Sequence, residues 1–316
     1  MSSFNNDTFY DIYTNDESVI QAPIVFSVIL VVITSIGLVG NLGIAVLTYR
    51  SPRLRNTCNY LLGLLCLSDC LHQIGHFSYF YRMMAGHYFI SLRACFFVQM
   101  FPMIGMLFGV ILPMLISLDR FCSFFFSQFH QRINATVYAV LVFAACGTYV
   151  GSIFNLVLRH VQKQGNSLVL CVVPDPILSD ANANFIFMST CGLINLGAVL
   201  IYVTVWIGLH VRKHVSDVTK RTFKALSAVV FALLFGWTST AIGQIVLLSV
   251  DAGPLQLFYS VMFSGVCVNL VCSSNCIWLF TFSRDYRNAL KHEFKRRTSK
   301  IGSTTFPQQL QSRSNV

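Results

Sequence analysis

The stretch CFFVQMFPMIGMLFGVILPMLISLDRF, Cys95–Phe121, carries no charged side chain until Asp119 and Arg120 close it. An α-helix rises about 1.5 Å per residue, so the run before Asp119 would reach about 36 Å, more than the ~30 Å of hydrocarbon in a bilayer. Similar runs lie on both sides: Ser18–Tyr49, Asn56–Tyr81 (broken only by Asp69), Ile133–Leu158, Ala181–Val211, Ala225–Val250 and Ala252–Ser283. Hydrocarbon offers the backbone no partners, so each run is expected to be a helix. Composition agrees. At 55% hydrophobic and 11% charged residues, the 316-residue chain has too little polar sequence to cover these helices in water. The expected fold is an all-α membrane protein. It has a bundle of seven transmembrane helices over residues 22–283, preceded by an extracellular N-terminal segment, residues 1–21.

The basic residues give the bundle a direction. With the N-terminus outside, the inner loops and tail hold 18 of the 22 lysines and arginines, leaving Arg82, Arg93, Arg159 and Lys163 outside. That imbalance is the positive-inside pattern. The net charge of +10 is therefore read as topology and as attraction to anionic lipid at the inner leaflet, not as a nucleic-acid surface. Residues 1–17 lack the basic start and apolar core of a cleavable signal peptide, so the first helix is expected to direct its own insertion. Asn6-Asp7-Thr8 is a glycosylation sequon on the expected outer side. The last residues, 298–316, are rich in Ser, Thr and Gln and are expected to form a disordered cytoplasmic tail.

Polar residues inside spanning helices are costly and point to function. Asp69 is the one clear mid-membrane charge. Gly40-Asn41 lies in the first run, Asp119-Arg120-Phe121 ends the third, and Cys95 begins that third run 25 residues before Arg120. Taken together, over about Ala22 to Arg297, these features resemble the rhodopsin-like G-protein-coupled receptors. Asn41 matches the family asparagine of helix one, and Leu67-Ser68-Asp69 the helix-two aspartate motif. Asp119-Arg120-Phe121 matches the Asp-Arg-Tyr motif, Trp237 the helix-six tryptophan, and Asn275 the helix-seven asparagine. Cys95 and Cys171 match the disulfide that ties helix three to the second outer loop, and residues 285–297 resemble the amphipathic eighth helix (284–297). Ser239 and Cys276 stand where proline is usual, and Leu279 stands where tyrosine is usual. This divergence, the Arg-rich first inner loop and the Phe-rich body resemble nematode serpentine chemoreceptors of the srsx class.

The resemblance implies roles. Asp119 and Arg120, with Phe121, would form the inner switch, and Tyr202 would meet Arg120 in the active state. Asn41, Asp69 and Asn275 would bond across three helices, and Trp237 would act as the toggle beneath the ligand. Thr219-Lys220-Arg221 would repel Arg120 where some family members hold it with an acid, giving a weak inner restraint. Pro102, Met103, Met106, Gln244, Tyr259 and Phe263 are candidate pocket residues. Pro102 replaces the aspartate of amine receptors, and Asn269 lies near where retinal proteins carry their lysine, so the expected ligand is a neutral small molecule or a peptide. The expected partners are that ligand, a heterotrimeric G protein and membrane lipid, at the plasma membrane.

No cofactor is expected. His72 and His76 share a helical face and could hold a metal, but such residues are more often neutral and bonded inside the bundle. The chain carries no Ser-His-Asp set, HExxH or P-loop, which argues against an enzyme. The alternatives are a neuropeptide receptor of the same fold, a transporter (for which no internal repeat is found) and a non-signalling seven-helix protein.

Overall fold

In a spanning helix the polar side chains decide which face turns inward. The computed structural model describes residues 6–211 and 253–304, with residues 223, 227, 230–232, 235–240, 242–243, 246 and 250 between them. The helices are α1 (Asn6–Asn15), α2 (Gln21–Arg50), α3 (Thr57–Met84), α4 (Leu92–Phe125), α5 (Ser127–Arg132), α6 (Ala135–Gln164), α7 (Asp175–Leu178), α8 (Ala181–Val211), α9 (Pro254–Ser273), α10 (Asn275–Phe282) and α11 (Arg284–Thr304). Among the described residues, five segments are long and apolar enough to cross a bilayer: Glu17–Arg50, Leu92–Phe125, Ala135–Gln164, Ala181–Val211 and Leu255–Phe282. At 28 residues α3 matches them in length, but its apolar run is interrupted by Asp69, His72, Gln73 and His76, all buried. Of the Ala225–Val250 run only part is described; residues 235–240 are helical there.

Burial is arranged for hydrocarbon rather than for water. Along α2 the inward positions include Thr34, Asn41 and Thr48, while Ile36 (65% exposed) and Val39 (75%) face outward. The same outward band of aliphatic side chains continues on α6 at Val140 and Leu141 and on α8 at Leu193, Leu196 and Leu200. In water such continuous apolar surface would drive aggregation, whereas lipid tails are as apolar as leucine and impose no cost.

Close helix approach fixes the centre of the bundle. On α4, Gly105 lies so near α3 that a Cβ there would sit 2.5 Å from the Ser68 carbonyl oxygen and 2.6 Å from the His72 nitrogen. Both are backbone atoms and cannot swing aside. The Gly105 hydrogen therefore sets the α3–α4 spacing, as small residues do at membrane helix interfaces.

The end of the bundle that carries the N-terminus is roofed. The two-residue strands β1 (Ile90–Ser91) and β2 (Leu168–Val169) pair antiparallel, Ile90 with Val169 and Ser91 with Leu168. Just beyond them Cys171 is bonded to Cys95 at the top of α4, with their Cα atoms 5.4 Å apart. Cys171 adopts a left-handed φ of 61°, which costs a non-glycine residue about 1–2 kcal/mol. Its carbonyl is held by the Arg82 guanidinium at 2.6 Å and the Gln99 amide at 3.2 Å. Residues 169–173 of this loop, with Ile177 and Leu178, are buried. The α1 helix lies at the same end: Phe9 stacks on Phe258 at 4.1 Å, and Tyr10 and Tyr13 meet Phe89. The N-terminal segment is thus a folded part of the roof.

At the opposite end α11 docks through buried Tyr286, whose hydroxyl lies 3.0 Å from Thr48 Oγ1, and through an Arg50–Glu293 ion pair of 3.2 Å. The helix runs to Thr304, past the expected boundary at Arg297, because no proline interrupts it before Pro307.

Replacing Gly105 with valine is expected to force α3 and α4 apart. Overpacking of this kind costs about 1–3 kcal/mol. The purified Gly105→Val protein should unfold several degrees below wild type, whereas Gly43→Ala, where a Cβ meets nothing within 4 Å, should not. Equal melting temperatures for Gly105→Val and wild type would refute this account of the interface.

Candidate functional site

Three polar groupings lie at three depths. Midway, Asn275 at the start of α10 donates through Nδ2 to Asp69 Oδ2 at 2.6 Å and to Asn41 Oδ1 at 3.3 Å, and Asn41 Nδ2 donates to the Cys272 carbonyl at 3.0 Å. The structure thus brings together Asn41, Asp69 and Asn275. Gln73 Nε2 extends the seam to Ser273 Oγ at 2.9 Å, and Ser273 Oγ donates to the Ile33 carbonyl at 3.1 Å. The helix breaks at Ser274, between α9 and α10, without a proline. The Ser274 hydroxyl donates to the Val271 carbonyl at 2.7 Å and accepts from Trp278 Nε1 at 2.8 Å. Side-chain back-bonding of this kind bends helices.

At the inner end Arg120 donates to Asp119 Oδ2 through Nε at 3.0 Å and also through Nη2. The other carboxylate oxygen, Oδ1, is met by His130 Nε2 at 2.9 Å and by the Tyr138 hydroxyl at 3.0 Å. The cluster therefore joins α4 to α5 and α6. Tyr202 on α8 is buried against Phe223, with ring centroids 5.5 Å apart, and its hydroxyl has no partner among the described residues. Phe121 packs on Phe125 at 4.8 Å. Sequence reasoning missed His130 and Tyr138, because their approach to Asp119 depends on α5 folding back under the bundle. The segment Thr219-Lys220-Arg221 lies outside the described residues.

Between the roof and the mid-depth seam lies a cavity of about 70 Å³. It takes residues from α3 (His72, His76), α4 (Met106), the roof loop (Pro174, Leu178), α8 (Phe187, Met188) and α9 (Val261, Ser264, Gly265, Val268, Asn269), together with Trp237 and Thr240. Trp237 is edge-on to Phe187 at 6.3 Å. Of the expected pocket residues, Met106 lines this cavity. Met103 and Pro102 are buried between helices, with Pro102 against Gly75. Tyr259 sits near the roof beside Phe258. Phe263 is 62% exposed and turns outward, about 100° around the helix from buried Met262. Gln244 lies outside the described residues. Asn269 and the His72–His76 pair were visible in the sequence, but nothing there placed them on one wall. No group of three or more metal-ligating residues occurs among the described residues.

The description of the serpentine-type seven-transmembrane G-protein-coupled chemoreceptors, Srsx, matches residues 20–294. The chain belongs to this family. A comparison with curated protein sequences returns no match. Srsx membership makes the chain a multi-pass membrane protein of the chemoreceptor class, and the match spans all three polar groupings.

In this Srsx receptor the roof carries a titratable group of its own. Asp175, buried in the loop, accepts from the Val172 N–H at 3.0 Å. Burial pushes its carboxyl up to about 7, opposed by the Val172 and Cys171 N–H groups and by Arg82. The folded roof thus keeps a proton that an unfolded chain releases near pH 4. The stability this contributes is complete below about pH 4 and is lost as pH rises through about 7. The melting temperature of the purified receptor should therefore fall between pH 5 and pH 8, with a smaller fall in Asp175→Asn. Parallel pH profiles for the two proteins would show that Asp175 does not titrate there.

Proposed function

We propose that the chain is a chemosensory receptor whose outer cavity takes up a ligand and whose inner face, on opening, activates a heterotrimeric G protein. In this reading it sits in the plasma membrane and crosses it seven times, with the N-terminus outside, where Asn6 is open to glycosylation, and the C-terminus in the cytoplasm. Residues 22–283 form the receptor bundle, and α11 rests along the inner leaflet as an eighth helix. The observation that carries the reading is the cluster at Asp119. Arginine keeps its charge at any physiological pH, so at the edge of hydrocarbon it needs a partner. Here the partner is one carboxylate, itself held by side chains from two other helices. Separating those helices would release Arg120 towards a docking protein, and the Tyr202 hydroxyl, without a partner among the described residues, is a ready acceptor for it.

The cavity supplies the other half of the mechanism. Trp237 lies on its wall, and the Asn41–Asp69–Asn275 clamp lies between it and the Asp119 cluster. A ligand that binds the open-inner-face state more tightly shifts the population towards it, by no more than its difference in affinity for the two states. A mostly apolar cavity beneath a folded roof favours a neutral small molecule over a peptide.

Nucleotide exchange on a G protein in receptor-containing membranes tests this. Arg120→Ala should reduce exchange to background at normal surface level. His130→Ala and Tyr138→Phe each remove a hydrogen bond to a charged group, about 1.5–3 kcal/mol, or roughly 10- to 100-fold in the resting equilibrium. Both should raise exchange in the absence of ligand. Exchange that survived Arg120→Ala would refute the role given to the Asp119 cluster, and exchange at background in the wild type would make a non-signalling membrane protein the better reading.

A further inference from the structure

An amide that faces hydrocarbon without a partner is costly. The buried amides of Asn41, Gln73, Gln99, Asn269 and Asn275 all donate to groups inside the bundle. Asn155 on α6 is different. It is exposed, and its amide has no hydrogen-bond partner among the described residues. It lies inside the charge-free run Ile133–Leu158, one turn before Arg159. Side chains on a helix lean towards its N-terminus, so this amide leans away from Arg159 and into the membrane. It is also too short to reach back to the interface as lysine and arginine do. Of the five spanning segments, α6 is the least covered by the rest of the bundle. Two exposed glycines share the face of Asn155: Gly151 lies four residues before it and Gly147 eight. A Cβ at either glycine would meet nothing within 4 Å, in contrast to Gly105. Glycine weakens a helix relative to alanine, and nothing in the receptor's own packing requires it at these two positions.

We propose that this face of α6 is the contact between two copies of the chain, packed side by side in the same orientation about a two-fold axis along the membrane normal. The symmetry sets Asn155 against Asn155 of the second copy. A side-chain amide carries both donors and an acceptor, so two amides related by a two-fold axis exchange a reciprocal pair of N–H···O bonds. A lipid tail satisfies neither group. Gly147 and Gly151 let the two backbones approach closely, as small residues four apart do in membranes. Helices that meet in this way cross at about −40°. They therefore diverge beyond Asn155, and the two Arg159 guanidiniums enter the headgroup region apart. The other face of α6, with Val142, Cys146, Ile153 and Val157, stays buried in its own bundle, so each copy remains whole. The contact lies outside both the cavity and the Asp119 cluster, and the inference does not depend on the signalling role.

The test is single-molecule photobleaching of the full-length, fluorescently labelled chain in phosphatidylcholine vesicles over a range of protein-to-lipid ratios. The wild-type dimer fraction should rise with that ratio. Asn155→Leu should lower the association constant roughly 3- to 20-fold, the range set by interhelical hydrogen bonds in membranes. Gly151→Leu should lower it as well, by holding the backbones apart. Leu196→Ala, at an outward position on α8, should leave it unchanged. On oxidation Asn155→Cys should yield a disulfide-linked dimer that the wild type does not form. The melting temperature of each variant, measured on the monomer at high dilution in lipid, should match wild type. A wild type that stays monomeric at every ratio would overturn the inference, and so would association that survives Asn155→Leu or falls equally with Leu196→Ala. A lowered melting temperature in Asn155→Leu would show that the amide serves its own bundle, and would overturn it too.

Discussion

Hydrocarbon forms no hydrogen bonds, so a polar side chain in a spanning helix has to find its partner across a helix interface. Asp69 is where this constraint acts most strongly. It is 1% exposed and held by Asn275, which in turn reaches Asn41. Interhelical bonds in membranes are individually modest, about 0.6 kcal/mol on average. Their importance here is rotational. With Asn41, Asp69, Gln73, Ser273 and Asn275 in one seam, α2, α3, α9 and α10 can turn only one way about their axes. That orientation turns His72 and His76 towards the cavity and leaves aliphatic side chains to the lipid.

The same constraint explains what was legible beforehand. Long charge-free runs announce spans, and an aspartate inside one announces a partner, but it was the family resemblance that named Asn41 and Asn275 as the partners of Asp69. The Cys95–Cys171 bond followed from family resemblance. The cavity wall was harder to read. A helix that is apolar all round gives no periodic signal for its facing, so nothing distinguished Phe263, which faces outward, from Val268, which lines the cavity. His130 and Tyr138 were illegible for a different reason: their partner lies 11 and 19 residues away and is reached only after the chain folds back.

The roof shows a third kind of limit. Residues 6–15 read as polar and acidic, yet Phe9, Tyr10 and Tyr13 supply an aromatic face that meets Phe89 and Phe258. Three aromatic residues in a short segment leave little periodic trace. The unusual backbone of Cys171 could not be foreseen either. It is sustained by the bond to Cys95 and by Arg82 and Gln99 converging on one carbonyl.

The break at Ser274 has a mechanical consequence. Proline kinks a helix permanently, because its ring removes a donor and clashes with the preceding turn. Here the interruption is held by a hydroxyl that rotates, bonded to the Val271 carbonyl on one side and the Trp278 indole on the other. Bonds of that kind contribute about 1 kcal/mol each, little more than thermal energy. The joint between α9 and α10 is therefore held by two weak bonds rather than by a ring.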